Sequence, residues 1–208
     1  MAKKIIIGVD EVGAGALAGP LLVCAIAIYG DAPKIQDVTD SKKLTPRKRE
    51  DLATLIENTI LCKSLAYLSP VYIDTINIRR ARQDGMEIVI NDVIKQLLNK
   101  CDIHNISVKI DGTNLDVIND YGLIPEYLIG GDGTEYAISC ASILAKVTRD
   151  KKMLDYAIEY PQYSFDSNKG YGTKSHIHAI QKFGLSDIHR RTFCYNFIVD
   201  ENQLGFWN

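Results

Sequence analysis

Two adjacent acidic residues, Asp10 and Glu11, follow an apolar run at residues 5–9 and precede a glycine-rich segment at residues 12–20. The apolar run is typical of a short buried strand, in which neighbouring side chains point to opposite faces. Buried carboxylates are costly unless a cation or hydrogen bonds compensate them. Glycines directly after them let a ligand approach the backbone closely, which suits a divalent metal ion acting on a phosphate. The alternative interpretation is a strand that ends in charged residues at the surface.

Two further acidic residues follow segments with the pattern of strands. Asp111 lies near the end of the segment 105–112, and Asp132 follows the segment 125–129 directly before a long helix. Ligands of an open α/β sheet gather where strand ends and their loops converge. Four carboxylates there would repel one another unless hard cations held them, and oxygen ligands favour Mg²⁺ or Mn²⁺ over zinc. Helix capping is the alternative role for Asp132, and Glu135 is a competing metal ligand.

Two divalent ions at such a site would supply the chemistry of phosphodiester hydrolysis. One ion activates a water molecule, and the other stabilises the leaving oxygen of an in-line displacement. A nucleophilic Ser-His triad is not expected, because Ser41 and Ser142 have no evident base nearby. His176 and His178 are two residues apart, a spacing that is poor for sharing a helix face, and they are not expected to bind metal.

The composition is that of a soluble globular protein. The chain has 208 residues, of which 46% are apolar and 24% charged, with a net charge of −2. No apolar stretch reaches membrane-spanning length, and the start of the chain lacks the pattern of a secretory signal. Five cysteines without a CxxC pair indicate reduced thiols rather than disulfides or zinc. We therefore expect a cytoplasmic protein without a membrane partner.

Basic residues are clustered although the net charge is slightly negative. Such clusters would contact phosphates without reading sequence, giving affinity that depends on salt. Taken singly, each cluster is also compatible with a solvated helix face. The clusters lie at residues 42–43, 47–49, 79–82, 146–152 and 189–191.

Strand and helix patterns alternate along the chain, which indicates an α/β domain around one sheet. We expect a single domain over residues 1–208, with residues 160–208 as a C-terminal extension packed on it. Thr45 and Pro46 have the residue types of a helix N-cap and first helical position, and the third helical pattern below is expected to break near Gly85. Strands are predicted at 4–10, 20–29, 61–68, 105–112 and 125–129, and helices at 46–58, 73–100 and 135–159.

Six short motifs occur in an order and spacing that resemble the ribonuclease HII family over nearly the whole chain. Each motif is weak alone, and the ordered set is specific. They are Asp10-Glu11-Val12-Gly13, Asp40-Ser41-Lys42-Lys43-Leu44, Ile110-Asp111-Gly112, Gly131-Asp132, the run at residues 141–150, and Asn168-Lys169-Gly170-Tyr171-Gly172-Thr173. The resemblance implies a ribonuclease H-like fold, with a five-stranded mixed sheet flanked by helices and a C-terminal helical extension.

The resemblance also implies an activity. Members of this family are metal-dependent endonucleases that cleave the RNA strand of RNA–DNA hybrids. They also incise on the 5′ side of ribonucleotides embedded in duplex DNA, leaving 5′-phosphate and 3′-hydroxyl ends. The implied cofactor is two divalent ions, Mg²⁺ or Mn²⁺, and the family's metal ligands correspond to Asp10, Glu11, Asp111 and Asp132. We expect a monomer whose partners are these nucleic acids.

The family's substrate contacts are carried over in the same way. Tyr171 corresponds to a tyrosine that packs on the sugar of the deoxynucleotide following the ribonucleotide. Lys42 is expected to contact a phosphate. Ser142 and Lys146 are four residues apart on one helix face, and for them phosphate contact and structural pairing are both open. Arg149, a turn further, is expected either to contact phosphate or to pair with an acidic residue.

The turn at residues 13–15 departs from the family pattern, because Ala14 stands where the family usually has arginine between Gly13 and Gly15. In the family, backbone groups of this turn recognise the ribose 2′-hydroxyl, which distinguishes RNA from DNA, and the arginine contacts the next phosphate. Ala16 also replaces a common proline. The glycines remain, so we predict intact metal chemistry with weaker binding or a relaxed preference for the RNA–DNA junction.

Three other functions are compatible with parts of this sequence. A hybrid-binding module with weak catalysis would explain the missing arginine but not four repelling carboxylates. A metal nuclease acting on branched DNA would not need the Tyr171 loop. A hybrid ribonuclease that requires several consecutive ribonucleotides is the alternative within the same enzyme class.

Overall fold

A mixed five-stranded sheet forms the centre of the protein in the computed structural model, which describes residues 3–99 and 101–198. The strands are β1 (Ile5–Val12), β2 (Leu21–Tyr29), β3 (Cys62–Leu68), β4 (Ile106–Asp111) and β5 (Glu126–Leu128). Their order in the sheet is β3-β2-β1-β4-β5. β1 pairs antiparallel with β2 and parallel with β4, β2 pairs antiparallel with β3, and β4 pairs parallel with β5. This arrangement confirms the predicted mixed sheet.

Helices cover both faces of the sheet. The predicted N-cap is present, since the Thr45 hydroxyl accepts a hydrogen bond from the Lys48 amide at 3.3 Å, and Pro46 begins the helix. In the described residues the helices are α1 (Pro46–Glu57), α2 (Pro70–Ile76), α3 (Ile78–Leu97), α4 (Gly131–Thr134), α5 (Tyr136–Glu159), α6 (Phe165–Asn168), α7 (Lys174–Phe183) and α8 (Arg191–Cys194). Apolar residues of α3 pack on one face of the sheet, and those of α1 and α5 pack on the other.

The helix predicted over residues 73–100 does break, but not near Gly85. The break is at Asn77, whose φ of 69° ends α2, and whose side chain then caps α3 by accepting from the Arg80 amide at 3.1 Å. Gly85 is instead buried in the middle of α3, where a Cβ would lie 2.7 Å from Val23 Cγ2 and 2.8 Å from Leu68 Cδ2. This glycine therefore permits close packing of the helix on the sheet.

The C-terminal segment, where it is described, contributes apolar residues to a cluster with other parts of the fold. Residues of α7 and the segment after it form a third apolar cluster with Leu17, Ala18 and Met153. Of the extension predicted at 160–208, residues 199–208 lie outside the described residues. No helix in the described part of the chain has the length and apolar character needed to span a membrane.

Candidate active site

Three carboxylates meet at the ends of the parallel strands. Asp10 lies within β1, which continues two residues beyond its predicted end, Asp111 closes β4, and Asp132 lies in α4 after β5. One oxygen from each carboxylate lies within 4.8 Å of the others. The Asp132 amide also donates to Asp111 Oδ1 at 3.4 Å. The sheet thus brings together three acids that are distant in sequence, as expected for the carboxyl ends of neighbouring parallel strands.

Strand alternation separates the fourth acid from this group. In β1, Ile7 and Val9 belong to the apolar cluster on the α3 face, and Ile6 and Val12 pack on the α5 face. Because side chains alternate between faces, the even-numbered residue 10 projects towards α5 and residue 11 towards α3. Asp10 therefore faces the other two aspartates, and Glu11 approaches the site from the opposite side.

Burial raises the proton affinity of two carboxylates of this group, those of Asp10 and Asp111. Burial, then the charges of Glu11 and Asp111, raise the pKa of Asp10 well above its ordinary value, although the Ser142 hydroxyl lowers it in part. Burial and the charge of Asp132 likewise raise the pKa of Asp111. Like charges crowded in a poorly solvated place favour the protonated form unless a cation is bound. The electrostatics of this group are therefore those of a cation site.

Lys42 provides a positive charge at the rim of this group. Its Nζ lies 3.1 Å from Asp132 Oδ2, while its side chain remains 78% exposed. Partial burial alone would lower the pKa of Lys42, but the hydrogen bond and charge of Asp132 outweigh it and raise this pKa. A lysine that is held by the site and open to solvent suits contact with a phosphate, although that contact stays a prediction.

Glu11 is paired with an arginine that sequence reasoning did not single out. Arg82 Nη2 lies 2.6 Å from Glu11 Oε1. Glu11 Oε2 and Arg82 Nε are both buried without a hydrogen-bond partner among the described residues. Burial raises the pKa of Glu11 although Arg82 opposes the shift. The only sequence signal for Arg82 was its place in the basic cluster at 79–82, which did not indicate which member faces the site.

The competing ligand and the two residues on α5 have other contacts. Glu135 pairs with Lys109 at 2.6 Å and lies outside the group of three aspartates. Ser142 is buried, with its hydroxyl 2.9 Å from the Ser41 hydroxyl. Lys146 pairs with Asp150 at 2.8 Å beside a cavity of about 410 Å³ that Lys151 and Lys169 also line. Substrate contact by Ser142 and Lys146 stays a prediction.

Arg149 has a different role from those predicted. It is fully buried and donates hydrogen bonds to three backbone carbonyls, those of Pro20 at 2.9 Å, Lys169 at 2.9 Å and Ala18 at 3.1 Å. Arg149 therefore holds the glycine-rich segment against the loop that contains Tyr171. Its guanidinium binds backbone carbonyls, and neither the predicted phosphate contact nor the predicted pairing with an acidic residue is its main interaction. Gly13 has a φ of 90°, and a Cβ there would lie 2.3 Å from Arg149 Nε.

A second buried arginine completes this support. Arg190 donates to the carbonyl of Gly19 at 3.0 Å and to that of Ala14 at 2.9 Å. Burial and the charge of Arg149 lower the pKa of Arg190 to about 9. Ala14 is half-buried and Gly15 is exposed, so the turn presents its backbone to solvent at its tip. Arg190 thus joins the segment 188–191 to the turn through backbone carbonyls rather than facing solvent.

Tyr171 lies in a loop joined to the same turn. The carbonyl of Gly170 accepts hydrogen bonds from the amides of Leu17 at 2.8 Å and Ala18 at 3.2 Å. The Arg149 guanidinium lies 5.4 Å from the centre of the half-buried Tyr171 ring. The structure thus makes the glycine-rich turn and the Tyr171 loop one connected unit.

Solved structures with the same fold are ribonucleases H. The ribonuclease H2 of Pyrococcus horikoshii superposes with a TM-score of 0.75 at 22% identity, covering 93% of this chain and 96% of that one. Bst-RNase HIII in complex with Mn²⁺ gives a TM-score of 0.65 at 17% identity, covering 88% of this chain and 64% of that one. At these identities the likeness establishes the fold, which is the class of ribonuclease H-like proteins.

Sequence relatives identify the family within that class. The family described as Ribonuclease HII matches residues 7–196. A ribonuclease HII of Caldicellulosiruptor bescii is 41% identical over 94% of this chain and 89% of its own length. Another, from Natranaerobius thermophilus, is 42% identical over 89% of this chain and 88% of its own length. The chain belongs to the ribonuclease HII family and is a ribonuclease H, a hydrolase of nucleic acid.

Proposed function

We propose that this protein is a metal-dependent endonuclease that cleaves the RNA strand of RNA–DNA hybrids and incises 5′ to ribonucleotides in duplex DNA. The observation that carries the proposal is the group formed by Asp10, Asp111 and Asp132, whose carboxylate oxygens lie within 4.8 Å of one another. Family membership supports a hybrid as substrate. Products with 5′-phosphate and 3′-hydroxyl ends would follow from attack of water on the phosphorus atom, with the P–O3′ bond breaking and the 3′-oxygen leaving as the 3′-hydroxyl.

The three aspartates suit two divalent ions such as Mg²⁺ or Mn²⁺. Their donor atoms are all oxygen. The pKa values of Asp10 and Asp111 are raised by burial first and by neighbouring carboxylates second, and a bound cation would offset both effects. Glu11 would join from the other face through Oε2, which is buried and without a partner among the described residues. Such ions supply Lewis acidity and lower the pKa of water. The complex of Bst-RNase HIII with Mn²⁺ is a precedent in this fold.

The chain's own residues would orient the nucleic acid around this group. Lys42 extends from the rim into solvent, where it would contact a phosphate of the cleaved strand. The exposed tip of the turn at Gly15 would place backbone amides against the ribose 2′-hydroxyl. Within the described residues the Gly15 amide donates to no backbone acceptor, so it is available for such a contact. Tyr171 would pack on the next sugar, since an aromatic ring favours an apolar deoxyribose over a hydroxylated ribose.

Ala14 favours a second candidate, a hybrid ribonuclease that acts better on several consecutive ribonucleotides than on one. A guanidinium at this position would add a charge-assisted phosphate contact worth roughly 1.5–3 kcal/mol when buried and less when solvated. Without it, binding at a single ribonucleotide depends on fewer contacts. The two candidates share their metal chemistry and differ in junction preference.

A matched pair of variants tests the proposed site. Asp111→Asn removes a carboxylate of the group, whereas Asp116→Asn removes an exposed one that is paired with Arg79 at 3.5 Å. We expect Asp111→Asn to reduce hybrid cleavage at least about a hundredfold, since loss of even an outer-shell partner of a metal site costs about 10- to 100-fold. Asp116→Asn should cleave like the unaltered protein. Equal activity of both variants would reject the site.

A further inference from the structure

Four polar groups, with two buried histidines in the middle, form a hydrogen-bonded chain that ends at the backbone of Tyr171. His189 Nδ1 lies 3.0 Å from the Ser186 amide and 2.8 Å from the Ser186 hydroxyl. His189 Nε2 lies 3.1 Å from His176 Nε2, and His176 Nδ1 lies 2.9 Å from the Tyr171 carbonyl oxygen. His176 is 0% exposed and His189 is 2% exposed. Burial this complete, with a partner for every ring nitrogen, indicates a built network.

The donors and acceptors of this chain are determined at both ends. The Ser186 amide can only donate, so His189 Nδ1 must accept and His189 must carry its proton on Nε2. The Tyr171 carbonyl can only accept, so His176 must carry its proton on Nδ1. His189 Nε2 then donates to His176 Nε2, and both assignments agree. The chain is therefore complete with two neutral rings and allows one direction only.

Burial keeps both rings neutral. It lowers the pKa of His189 to about 4, helped by the neighbouring His176, and it also lowers the pKa of His176. The rings of Tyr163 and Phe165 enclose the pair, with ring centres 4.8 Å from His189 and 5.3 Å from His176 respectively. At neutral pH the hydrogen bonds of the chain are thus present in one arrangement.

The segment that carries His189 also binds the turn at residues 13–15 and the residues directly after it. The Arg190 amide donates to the Leu17 carbonyl at 2.8 Å, and the Gly19 amide donates to the Ile188 carbonyl at 2.8 Å. The Arg190 side chain donates to the Ala14 carbonyl within the turn at 2.9 Å. The histidine chain therefore starts from a segment that is hydrogen-bonded to the turn and ends at the Tyr171 carbonyl.

We propose that His176 and His189 are positioning residues that set Tyr171 relative to the turn at residues 13–15, and so set the preference for an RNA–DNA junction. The inference depends on the proposed function, in which the turn contacts the ribose and Tyr171 the following deoxyribose. Neither histidine touches the substrate. Their effect is to fix the carbonyl of Tyr171, and an error of even 1 Å in such a position can reduce a rate substantially.

Two substitutions at one position separate positioning from packing. Asn places an amide near the position of Nδ1, so His176→Asn can still donate to the Tyr171 carbonyl. Gln places its amide near the position of Nε2, so His176→Gln keeps the contact with His189 and loses the hydrogen bond to the Tyr171 carbonyl. The measurement is the ratio of kcat/KM for a duplex with one ribonucleotide to kcat/KM for a uniform hybrid, with KM and kcat resolved.

We expect His176→Gln to lower this ratio about tenfold, mainly through KM for the single-ribonucleotide duplex, and His176→Asn to stay within about twofold. Urea unfolding of both variants checks that they are equally folded. Equal ratios for the two variants would overturn the positioning role. Absence of any incision at a single ribonucleotide by the unaltered protein would instead reject the proposed function, and this inference with it.

A spectroscopic measurement on the unaltered protein keeps the inference testable if a variant does not fold. Imidazole ¹⁵N chemical shifts should show a protonated Nδ1 on His176 and a protonated Nε2 on His189, both neutral at pH about 7. The opposite proton on either ring, or a charged ring, would break the chain to Tyr171 and overturn the proposal.

Discussion

At the scale of single residues, the site combines crowded carboxylates with two basic side chains that form salt bridges to it. Asp10 and Asp111 are crowded and poorly solvated, and their pKa values are raised for that reason. Lys42 pairs with Asp132 from solvent, and Arg82 pairs with Glu11 from α3. Such an arrangement is typical of functional sites, where charge repulsion is retained because a ligand relieves it.

Asp10→Asn should make the metal-free protein more stable and inactivate it. The substitution removes a buried charge but keeps a side-chain oxygen that can accept a hydrogen bond from the Glu11 amide. In the unaltered protein this amide lies 2.7 Å from Asp10 Oδ1. We expect cleavage to fall at least about a hundredfold while the urea midpoint without metal rises. Adding Mn²⁺ should then raise the midpoint of the unaltered protein more than that of the variant. A lower midpoint for the metal-free variant would contradict this account.

The same residue predicts a pH dependence. Because the pKa of Asp10 is raised in the folded protein, the native state binds more protons than the unfolded state above the ordinary carboxyl pKa of about 4. Stability from this group is therefore lost as pH rises through the folded pKa. The stability advantage of Asp10→Asn over the unaltered protein should grow as pH rises above about 4 without metal. A stability advantage that shrinks as pH rises would mean that folding lowers the pKa of Asp10, which would contradict this account.

Arg82→Gln should lower stability, since it removes the one salt bridge that the buried Glu11 carboxylate makes within the described residues, at 2.6 Å. We expect a loss of about 2 kcal/mol without metal, and a larger rise in melting temperature on addition of Mn²⁺ than in the unaltered protein. The control is Arg79→Gln, three residues earlier, whose partner Asp116 is largely exposed. Its effect should stay within about 0.5 kcal/mol. Equal losses for the two variants would refute a special role of Arg82.

Ala14→Arg should tighten binding to a duplex with one ribonucleotide. A charge-assisted phosphate contact of about 1.4 kcal/mol corresponds to about a tenfold lower Kd. One added phosphate contact should also steepen the dependence of log Kd on log salt by about 1. Ala14→Gln, of similar length but neutral, is the control and should change neither quantity. Binding measured in Ca²⁺ to suppress cleavage checks this, and an unchanged Kd for Ala14→Arg would contradict the contact.

At the scale of elements, alternation along β1 decides which helix each acid faces. Asp10 and Asp111 point to the side of α5, where Ser142 contributes to the environment of Asp10, and Glu11 points to the side of α3, where Arg82 lies. Two buried arginines hold the glycine-rich segment in place. Arg149 donates to the Ala18 carbonyl and Arg190 donates to the Ala14 carbonyl. Rigid elements thus determine the geometry of both the carboxylates and the turn.

Gly85→Ala tests how closely α3 packs on the sheet. The added methyl group would lie 2.7 Å from Val23 Cγ2 within a packed core, so we expect a loss of about 1–3 kcal/mol despite the better helix propensity of alanine. Gly133→Ala is the matched control, because nothing lies within 4 Å of its Cβ position. Chemical unfolding of both variants makes the comparison. A stabilised Gly85→Ala would show that the helix moves freely on the sheet.

At the scale of the whole molecule, the pattern of strands, helices and motifs was sufficient to predict the sheet and the acids at its strand ends. Local signals carry these features: Thr45 and Pro46 mark a helix start, and apolar runs mark strands. The sequence pattern places the helix break at Gly85 instead of Asn77, because a glycine in a helix can indicate either a break or close packing. Only the position of Val23, 2.7 Å from where a Cβ of residue 85 would lie, shows that Gly85 permits close packing.

Long-range pairings of charged residues could not be predicted in this way. Arg149 and Arg190 lie in basic clusters that resemble solvated surface, yet both are fully buried and bind carbonyls more than a hundred residues away. The contact between His176 and His189 depends on the path of the chain after α7, and no spacing rule indicates it. Such contacts follow from tertiary packing, which a local pattern does not contain.

Product mapping tests the central claim most directly. Three end-labelled duplexes are needed, one with a single ribonucleotide, one with an RNA run joined to DNA, and one of DNA alone, each with Mg²⁺, with Mn²⁺ and with chelator. The account predicts metal-dependent incision 5′ to the single ribonucleotide and cleavage within the RNA run, with the all-DNA duplex intact. Cleavage of the all-DNA duplex, or cleavage that persists in chelator, would contradict it.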